Sequence, residues 1–505
     1  MTSTLDTQLS DRALGWLRFL WDKATTPDDW SDQGEPHAWW DRRGSPPMCA
    51  FPRFDLSEMA YALPIMMEST PAWREPYVRI ADEILQRFVS FWGGVDWLTL
   101  IGPDPNTDRY PPEWQCCVPE SLRGTRYPMA GWTGNGIEPW GLQPDPVGAD
   151  GNLFYKVWLN LTLGIRRYLS GEATEHDSFN VTGYRNRQFP WTHSRIAHLL
   201  SHQLSDRPQG PHCENTKVFP FCVVAAGLSL HLHDRLLGTN LHDPFPRWVE
   251  FAKQHYMGLK PNGDLDWFAF YYDPIAEKVG GMHEPYNALV WLPLLYPQDP
   301  VWASQLYELC MRAIGFSDPH YPVVQIARDQ RMLVTALVTA REIGDNHTEK
   351  RLREIVENEF QPRFFGQEND RFAYWFGIDE PWPRGTLNAM IMMADAGAPG
   401  AWSRVFTDPL TAVHAEPTVR GVDYPTLGIR RARNDMSARI LDISTTAATP
   451  SRRGSLTKFT VDRLPDPGAV TMTLDDQDHP HWRVTGPDSI EVDLDVDAHH
   501  LRLNF

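Results

Sequence analysis

Through residues 1 to about 400, apolar side chains recur every three or four positions, the spacing of a helix with one buried face. Residues 77–92 and 152–168 give the clearest examples. Gly238 and Gly344 each follow an apolar segment at the position where a helix commonly ends. About twelve such segments are predicted, near residues 9–23, 54–69, 77–92, 152–168, 193–205, 222–237, 245–257, 286–295, 300–315, 327–344, 348–360 and 384–397.

Twelve consecutive helices with antiparallel neighbours predict a mainly α fold, an (α/α)6 barrel of six helical hairpins. Six inner helices would enclose a cavity, and the loops between helices would cover it. A solenoid of helical repeats is the competing topology, but the sequence has no fixed repeat period. Residues 24–50 and 93–150 are long non-helical segments, a length that usually serves a site or an interface.

After about residue 405 the apolar period changes to two, which is typical of strands. Residues 470–474, 490–496 and 501–505 alternate in this way, with turn sequences such as Asp-Pro-Gly between strands. We therefore expect a catalytic α/α barrel over residues 1–404. Residues 405–505 should form a small β-sandwich-like module without chemistry of its own.

Composition and charge reduce the number of functions that this chain could have. The chain of 505 residues carries a net charge of −18, which disfavours a nucleic-acid partner. No apolar run is long enough to span a membrane, and the N-terminus does not have the pattern of a secretory signal. Six cysteines are few for a disulfide scaffold, so free thiols in a cytoplasmic protein are expected. The 21 tryptophans suggest an aromatic-lined cavity as well as a core.

Common cofactor and nucleophile motifs are missing. The sequence has no GxxxxGK[ST] loop, no GxGxxG after a strand and no GxSxG elbow, so we expect no nucleotide cofactor. His231 and His233 are two residues apart on a predicted helix, which points their rings to different faces and disfavours a metal site. His283 and Glu284, in a loop, are better candidates for polar residues of a functional site.

Cys213 and Cys222 are the strongest candidates for chemistry. Cys222 opens a predicted helix, and a helix N-terminus lowers the pKa of a nearby thiol towards neutrality. Two thiols that face one cavity could therefore act as acid and base without a metal. On spacing alone, the alternative that Cys222 is core packing and Cys213 incidental is favoured.

The segment HCENTKVFPFC, followed by SLHLHDRLLGT, resembles the signature region of the linalool dehydratase-isomerase family. Cys213-Glu214, Phe219, Cys222 and the helix end at residues 234–239 match its order and spacing. Further anchors agree across roughly residues 50–400: the inner-helix segment at residues 155–161, Tyr286 followed by Trp291, and the helix end at residues 340–345.

The resemblance implies a barrel of six helical hairpins with cofactor-free chemistry. Members of the family dehydrate a tertiary allylic terpene alcohol to a diene and isomerise it to a primary alcohol. Cys213 and Cys222 would handle protons, and Tyr286 would position a hydroxyl group. The full set of substrate-binding candidates, from the resemblance and from the loop sequence together, is Phe54, Phe154, Trp158, Glu214, Phe219, His283 and Trp291.

The chain also departs from the family pattern. Trp158 stands where the family has a catalytic histidine, and Phe54 loosely replaces a tyrosine. The Asp and Tyr that the family supplies across a subunit interface have no clear counterpart, so a homo-oligomer stays an open expectation. Aromatic faces stabilise carbocations by cation–π attraction. This exchange of polar for aromatic side chains favours a bulkier or more apolar substrate, and proton-initiated isomerisation or cyclisation over simple hydration chemistry. The expected function is therefore a lyase or isomerase that carries out dehydration, double-bond isomerisation or proton-initiated cyclisation on a terpenoid or similar apolar small molecule.

Two other functions compete. A carbohydrate-active hydrolase or lyase would use paired carboxylates in the same kind of barrel, with aromatic residues as sugar platforms. Its candidates are Glu138, Asp145, Asp150, Glu214 and Glu284. A binding or scaffold protein would instead have a filled barrel with no cavity around Cys213.

Overall fold

The computed structural model describes residues 8–27, 51–92, 137–138, 141–142, 144–183, 187–213, 217–273, 277–280, 284–316, 330–377 and 382–505. In this part of the chain an α-rich unit precedes a β module, as the sequence predicts. Each of the twelve predicted segments contains a helix. The helices are α1 Asp11–Thr25, α2 Phe51–Glu58, α3 Ala62–Met67, α4 Glu75–Arg87, α5 Leu153–Ser170, α6 His193–Asp206, α7 Pro220–Leu237, α8 Phe245–His255, α9 Leu292–Leu295, α10 Pro300–Ala313, α11 Gln330–Ile343, α12 Asn346–Glu359, α13 Gly385–Asp395 and α14 Ala401–Thr407.

Three short helical turns extend these elements. A 3-10 turn at Met59–Tyr61 joins α2 to α3, and another at Pro285–Trp291 leads into α9. A π-helical turn at Phe88–Trp92 continues α4. Because the first of these turns is continuous with its flanking helices, residues 51–67 act as one helical segment.

Helix starts differ in how they are capped. Side-chain oxygens of Ser10, Thr192, Asp299 and Asp345 accept N–H groups in the first turns of α1, α6, α10 and α12. The inner helices α5 and α7 have no such side-chain cap. The first N–H of α5, from Leu153, instead donates to the His212 oxygen at 3.3 Å, whereas α7 begins with Pro220, which has no N–H.

Six helical segments contact one another in a closed ring. The order is residues 51–67, α5, α7, residues 285–295, α11 and α13, and α13 packs back against α2 and α3. The intervening helices lie outside: α4 against α5, α6 against α5 and α7, α10 against residues 285–295, and α12 against α11. Since inner and outer helices alternate along the chain, the inner helices run in the same direction.

The C-terminal end of the ring is closed by α14, which contacts α3, α7 and α11. Trp402 is buried there, and its indole Nε1 donates to the carbonyl oxygen of Pro293 at 2.8 Å. The backbone N–H of Ser403 donates to the Glu342 carboxylate at 3.0 Å. The opposite end, where the inner helices begin, carries the candidate site.

The C-terminal module is built from strands. They are β11 Thr418–Arg420, β12 Leu427–Asp435, β13 Ile440–Ala447, β14 Leu456–Asp462, β15 Thr471–Leu474, β16 Gln477–Asp478, β17 Trp482–Gly486, β18 Ser489–Asp495 and β19 His500–Asn504. They form two antiparallel sheets, one with the order β11-β14-β18-β17 and the other with the order β12-β13-β19-β15-β16, which confirms the period-two prediction for β15, β18 and β19. Their alternating buried side chains, including Phe459, Val492 and Leu501, form the core of the module.

Short hairpins connect several helices, and the helical periodicity did not predict them. They pair β1 Ile137–Glu138 with β2 Gly141–Leu142, β3 Phe179–Thr182 with β4 Gln188–Trp191, β5 Met257–Leu259 with β6 Leu265–Phe268, β7 Tyr271–Asp273 with β8 Lys278–Gly280, and β9 Arg363–Phe365 with β10 Arg371–Ala373. The helix α14 ends three residues beyond the predicted boundary at residue 404.

The two parts of the chain share backbone hydrogen bonds. The Leu9 N–H donates to the Arg430 oxygen at 2.9 Å, and the Val419 N–H donates to the Ala72 oxygen at 2.8 Å. The β module therefore packs directly on the helical unit. Within the described ranges, no helix combines the length and apolar character that a membrane span requires.

Candidate active site

Cys213 lies at the N-terminus of α5. Its backbone N–H donates to the Lys217 oxygen at 2.8 Å, and its oxygen accepts the Asn152 N–H at 3.2 Å. Its Sγ accepts the N–H of Phe154, the second residue of α5, at 3.0 Å. That N–H is among those that helix geometry leaves without an intrahelical partner. The positive end of the α5 dipole is thus directed at the Cys213 sulfur, which favours negative charge there.

Cys222 is the third residue of α7, and its Sγ lies 3.4 Å from the Sγ of Cys213. A disulfide bond would require about 2.05 Å, so both cysteines are free thiols. Both are buried, at 1 % and 3 % exposure. The structure therefore brings the predicted thiol pair together, with the N-termini of two inner helices beside it.

Four aromatic rings pack together near the N-termini of α2, α5 and α7, and three of them belong to residues named as substrate-binding candidates. The Phe154 ring stacks on Trp158 with centroids 4.2 Å apart and meets the edge of Phe54 at 5.0 Å. The Trp158 ring also packs against Phe221 at 5.0 Å. Phe221 was not among the predicted site residues, although its place next to Cys222 is a signal that could have identified it.

Three polar residues lie beside these aromatic rings: Glu58, Tyr61 and Arg331. The sequence analysis did not identify any of them. The Trp158 indole Nε1 donates to the Tyr61 hydroxyl at 2.7 Å. An Arg331 amino group donates to Glu58 Oε1 at 2.5 Å. The Arg331 guanidinium also lies over Phe221, 5.2 Å from the ring centroid, and over Phe54, at 5.7 Å.

The electrostatics of Glu58 and Tyr61 follow from their burial. Burial raises the pKa of Glu58, and the neighbouring Arg331 guanidinium opposes that rise. Burial also raises the pKa of Tyr61 well above its usual value, and the charges of Glu58 and Cys222 add to the increase. Tyr61 therefore lies within electrostatic reach of both the carboxyl group and the thiol pair, and stays a neutral hydroxyl.

The other predicted site residues are less close to the thiols. Tyr286 is half-buried in the turn before α9, at the same end of the ring. The Trp291 ring instead packs against Trp248, Phe268 and Trp302, a separate aromatic cluster.

Phe219 immediately precedes α7, and its ring contacts Phe270 and Tyr271. These two contacts connect Phe219 to the start of β7. Glu214 and His283 lie outside the described residues.

The histidines of α7 diverge as the spacing predicts. The His231 ring lies beside His242 at 5.0 Å, whereas the His233 ring lies beside His193 at 5.1 Å. Across the ranges that the structure describes, no group of three or more His, Cys, Asp or Glu side chains is placed to hold a metal ion.

The carboxylates named for carbohydrate chemistry have other contacts. Asp145 accepts the Trp191 indole N–H at 3.1 Å, and Asp150 pairs with Arg207 at 2.9 Å. Glu284 is exposed just before the 3-10 turn that leads into α9. The side chain of Glu138, like Glu214, lies outside the described residues.

No protein-family model matches the sequence. Among solved structures, an unsaturated glucuronyl hydrolase specific for heparin is 9% identical with a TM-score of 0.42, covering 79% of this chain and 98% of that one. A family 76 glycoside hydrolase from a bovine Bacteroides thetaiotaomicron strain is 14% identical with a TM-score of 0.38, covering 75% and 76%. At TM-scores below 0.5, these similarities assign neither a family nor an activity.

Proposed function

We propose that this chain is a cofactor-independent lyase or isomerase that acts on an apolar, unsaturated substrate of terpenoid type. The observation that carries the proposal is the pair of buried thiols, 3.4 Å apart, beside the N-termini of α5 and α7. An apolar, aromatic environment suits such a substrate, and the thiols supply both a proton donor and a proton acceptor.

The closed ring of inner helices supports a finer description of the fold, an (α/α)6 barrel whose cavity opens at the helix N-termini. The alternation of inner and outer helices gives the six hairpins. The cation–π contacts of Arg331 with Phe54 and Phe221 join α11, α2 and α7 at this end. The resemblance to the linalool dehydratase-isomerase family, a cytoplasmic location and the oligomeric state stay predictions.

The two thiols have distinct roles in the proposed dehydration. Cys213 acts as the thiolate, because its sulfur receives the Phe154 N–H and the α5 dipole. Cys222 acts as the thiol and donates its proton to the substrate hydroxyl. The C–O bond then breaks and water leaves.

Cys213 removes a proton from the neighbouring carbon, and the C–H electron pair becomes the new double bond. Proton transfer from Cys213 back to Cys222 across their contact restores the starting state. Phe154 and Trp158 face positive charge that develops on carbon, and each such ring stabilises a desolvated cation by up to about 2 kcal/mol.

The test incubates the reduced protein with monoterpene and sesquiterpene allylic alcohols in deuterium oxide and identifies products by gas chromatography and mass spectrometry. Diene or rearranged alcohol is expected from the wild type and none from Cys213→Ala/Cys222→Ala. Cys310→Ala is the matched control, because Cys310 is a buried free thiol on the outer helix α10. Full turnover by the double variant would refute the thiol mechanism.

A carbohydrate-active enzyme is the second candidate, and the buried carboxyl of Glu58 is the observation that favours it. Burial raises the pKa of this group, as a general acid requires. Release of reducing sugar from an oligosaccharide panel would support this function if Glu58→Gln abolished the activity and the double cysteine variant retained it.

A further inference from the structure

The two carboxyl oxygens of Glu58 have different surroundings. Oε1 accepts the hydrogen bond from Arg331, whereas Oε2 has no hydrogen-bond partner in the described part of the chain. The side chain is fully buried, at 0 % exposure. A buried polar atom left unsatisfied costs about 1–3 kcal/mol, and more for a charged group. This cost is recovered when a ligand supplies the missing donor.

Glu58 is itself fully buried, whereas the residues packed around its carboxyl group are less so. Its partner Arg331 has a side chain that is 23% exposed, and Phe54 and Phe221 on either side of the guanidinium are only partly buried. A ligand that reaches Oε2 past these side chains therefore meets mainly aromatic carbon. Such surroundings suit a molecule that is apolar except for one polar group.

The charges of Glu58 and Arg331 determine which polar group of a ligand can bind to Oε2. Arg331 already balances the negative charge of Glu58, so a substrate carboxylate would meet Oε2 without a free cation to compensate it. An ether or a hydrocarbon has no hydrogen to donate. A hydroxyl group both donates to Oε2 and carries no charge of its own.

We propose that Glu58 binds the hydroxyl group of an apolar alcohol substrate through Oε2, with Arg331 holding the carboxylate in place. This inference rests on the proposed function, since it names the class of substrate and the polar group that the thiol chemistry acts on.

The experiment measures binding rather than turnover, by tryptophan fluorescence at pH 8. The probes are a tertiary allylic terpene alcohol and its O-methyl ether. The wild type is expected to bind the alcohol at least about tenfold more tightly, the factor that corresponds to one hydrogen bond of about 1.4 kcal/mol. Glu58→Gln is expected to bind the two probes within about twofold, because an amide N–H in place of Oε2 donates equally to either oxygen.

Glu342→Gln is the matched control. Glu342 is a buried carboxyl on the inner helix α11, but it lies at the closed end, where it binds the first turn of α14. This variant is expected to keep the preference for the alcohol. Arg331→Lys provides a second variant if Glu58→Gln does not fold, and it is expected to lower the preference because lysine cannot stack between the two phenyl rings.

Three results would overturn the proposal: equal binding of alcohol and ether by the wild type, no binding of the alcohol, or an unchanged preference in folded Glu58→Gln. Cys213→Ala/Cys222→Ala separates this proposal from the thiol mechanism. Loss of turnover in that variant tests the thiol mechanism alone, whereas the alcohol preference of Glu58→Gln tests the binding role of Glu58 alone.

Discussion

The N–H of Phe154 donates to the Sγ of Cys213 at 3.0 Å, so α5 begins against a sulfur atom from a loop far along the chain. Asn152, the residue before α5, has no side-chain hydrogen bond to the first turn. The sulfur therefore fills the position that a serine or aspartate side chain takes at other helix starts. In the proposed mechanism, the stability of α5 and the proton transfer therefore depend on this one atom.

Cys213→Ala is expected to lower both the free energy of unfolding and the rate of turnover. Losing an N-terminal helix cap destabilises a protein by about 0.5–2 kcal/mol, and loss of a general acid or base slows turnover by about 10²–10⁴-fold. Cys213→Ser should recover part of the stability, because its oxygen accepts the Phe154 N–H, without recovering activity. Urea denaturation and product assays measure the two effects. Equal stability of Cys213→Ala and the wild type would contradict the capping role.

Trp158 and Tyr61 form a second coupled pair at the site. The indole N–H donates to a hydroxyl that is fully buried, and Trp158→Phe removes that donor. A double-mutant cycle with Tyr61→Phe is expected to give a coupling free energy of unfolding of about 0.5–1.5 kcal/mol.

Trp16→Phe is the control for this cycle. Trp16 is also fully buried, but its Nε1 has no hydrogen-bond partner in the ranges described. The corresponding cycle of Trp16→Phe with Tyr61→Phe should show coupling near zero. A coupling of the same size in both cycles would mean that lost packing, and not the hydrogen bond, accounts for the effect.

Much of the helical unit could be predicted because its signal is local. Outer helices such as α4 and α10 bury a stripe that repeats every three or four residues, and this stripe appears in the sequence before any partner is known. Inner helices such as α7 and α13 are instead apolar and buried over most of their length. The contact between the two thiols could also be predicted, since Cys213 and Cys222 are close in the chain. The early strands of the β module are harder to predict from the sequence. For example, β12 contains Arg430 and Arg431 and does not alternate strictly between buried and exposed residues.

The polar part of the site could not be predicted in the same way. Arg331 pairs with a carboxylate 273 positions earlier, and only closure of the ring brings α11 beside α2. The sequence did contain a weaker signal for Glu58 and Tyr61. Glu58 is the last charged residue before the uncharged, mainly apolar run at residues 59–67, and Tyr61 follows it by one helical turn. A carboxylate at the edge of an entirely apolar helix needs a partner, but spacing alone does not reveal which one.

Acid should destabilise the fold through His193. Burial lowers the pKa of this histidine to about 3, with the neighbouring His233 adding to the effect. The folded state keeps the ring neutral, whereas the unfolded chain binds a proton below pH 6.5. The contribution of the neutral His193 ring to the free energy of unfolding is therefore fully present above pH 6.5. It is lost as the pH falls towards 3, at about 1.4 kcal/mol per pH unit.

His193→Gln removes this titration and is expected to lose less stability than the wild type between pH 7 and pH 5, measured as the free energy of unfolding in urea. His202→Gln is the control, because His202 lies on the same helix α6 with 71% of its side chain exposed. That variant should follow the wild-type pH dependence. Parallel profiles for His193→Gln and the wild type would rule out His193 as the source.

Gly385 is the position where one added methyl group should do most damage. It begins α13, and a Cβ there would clash with the Asp55 carboxyl and lie 2.5 Å from the Nζ of Lys23. Asp55 and Lys23 form a fully buried ion pair. Breaking such a pair costs about 3–5 kcal/mol, so Gly385→Ala is expected to lose at least about 3 kcal/mol of unfolding free energy.

The control is Gly468→Ala in the β module, where the nearest heavy atom to a new Cβ is Asp466 Oδ1 at 3.4 Å, an ordinary contact. Combining Gly385→Ala with Asp55→Ala and Lys23→Met should restore part of the stability, because the triple variant no longer buries a charge. Asp55 lies one turn before Glu58 on α2, so Gly385→Ala should also weaken the preference for an alcohol over its ether. A fully stable Gly385→Ala with an unchanged preference would show that the ion pair does not position Glu58.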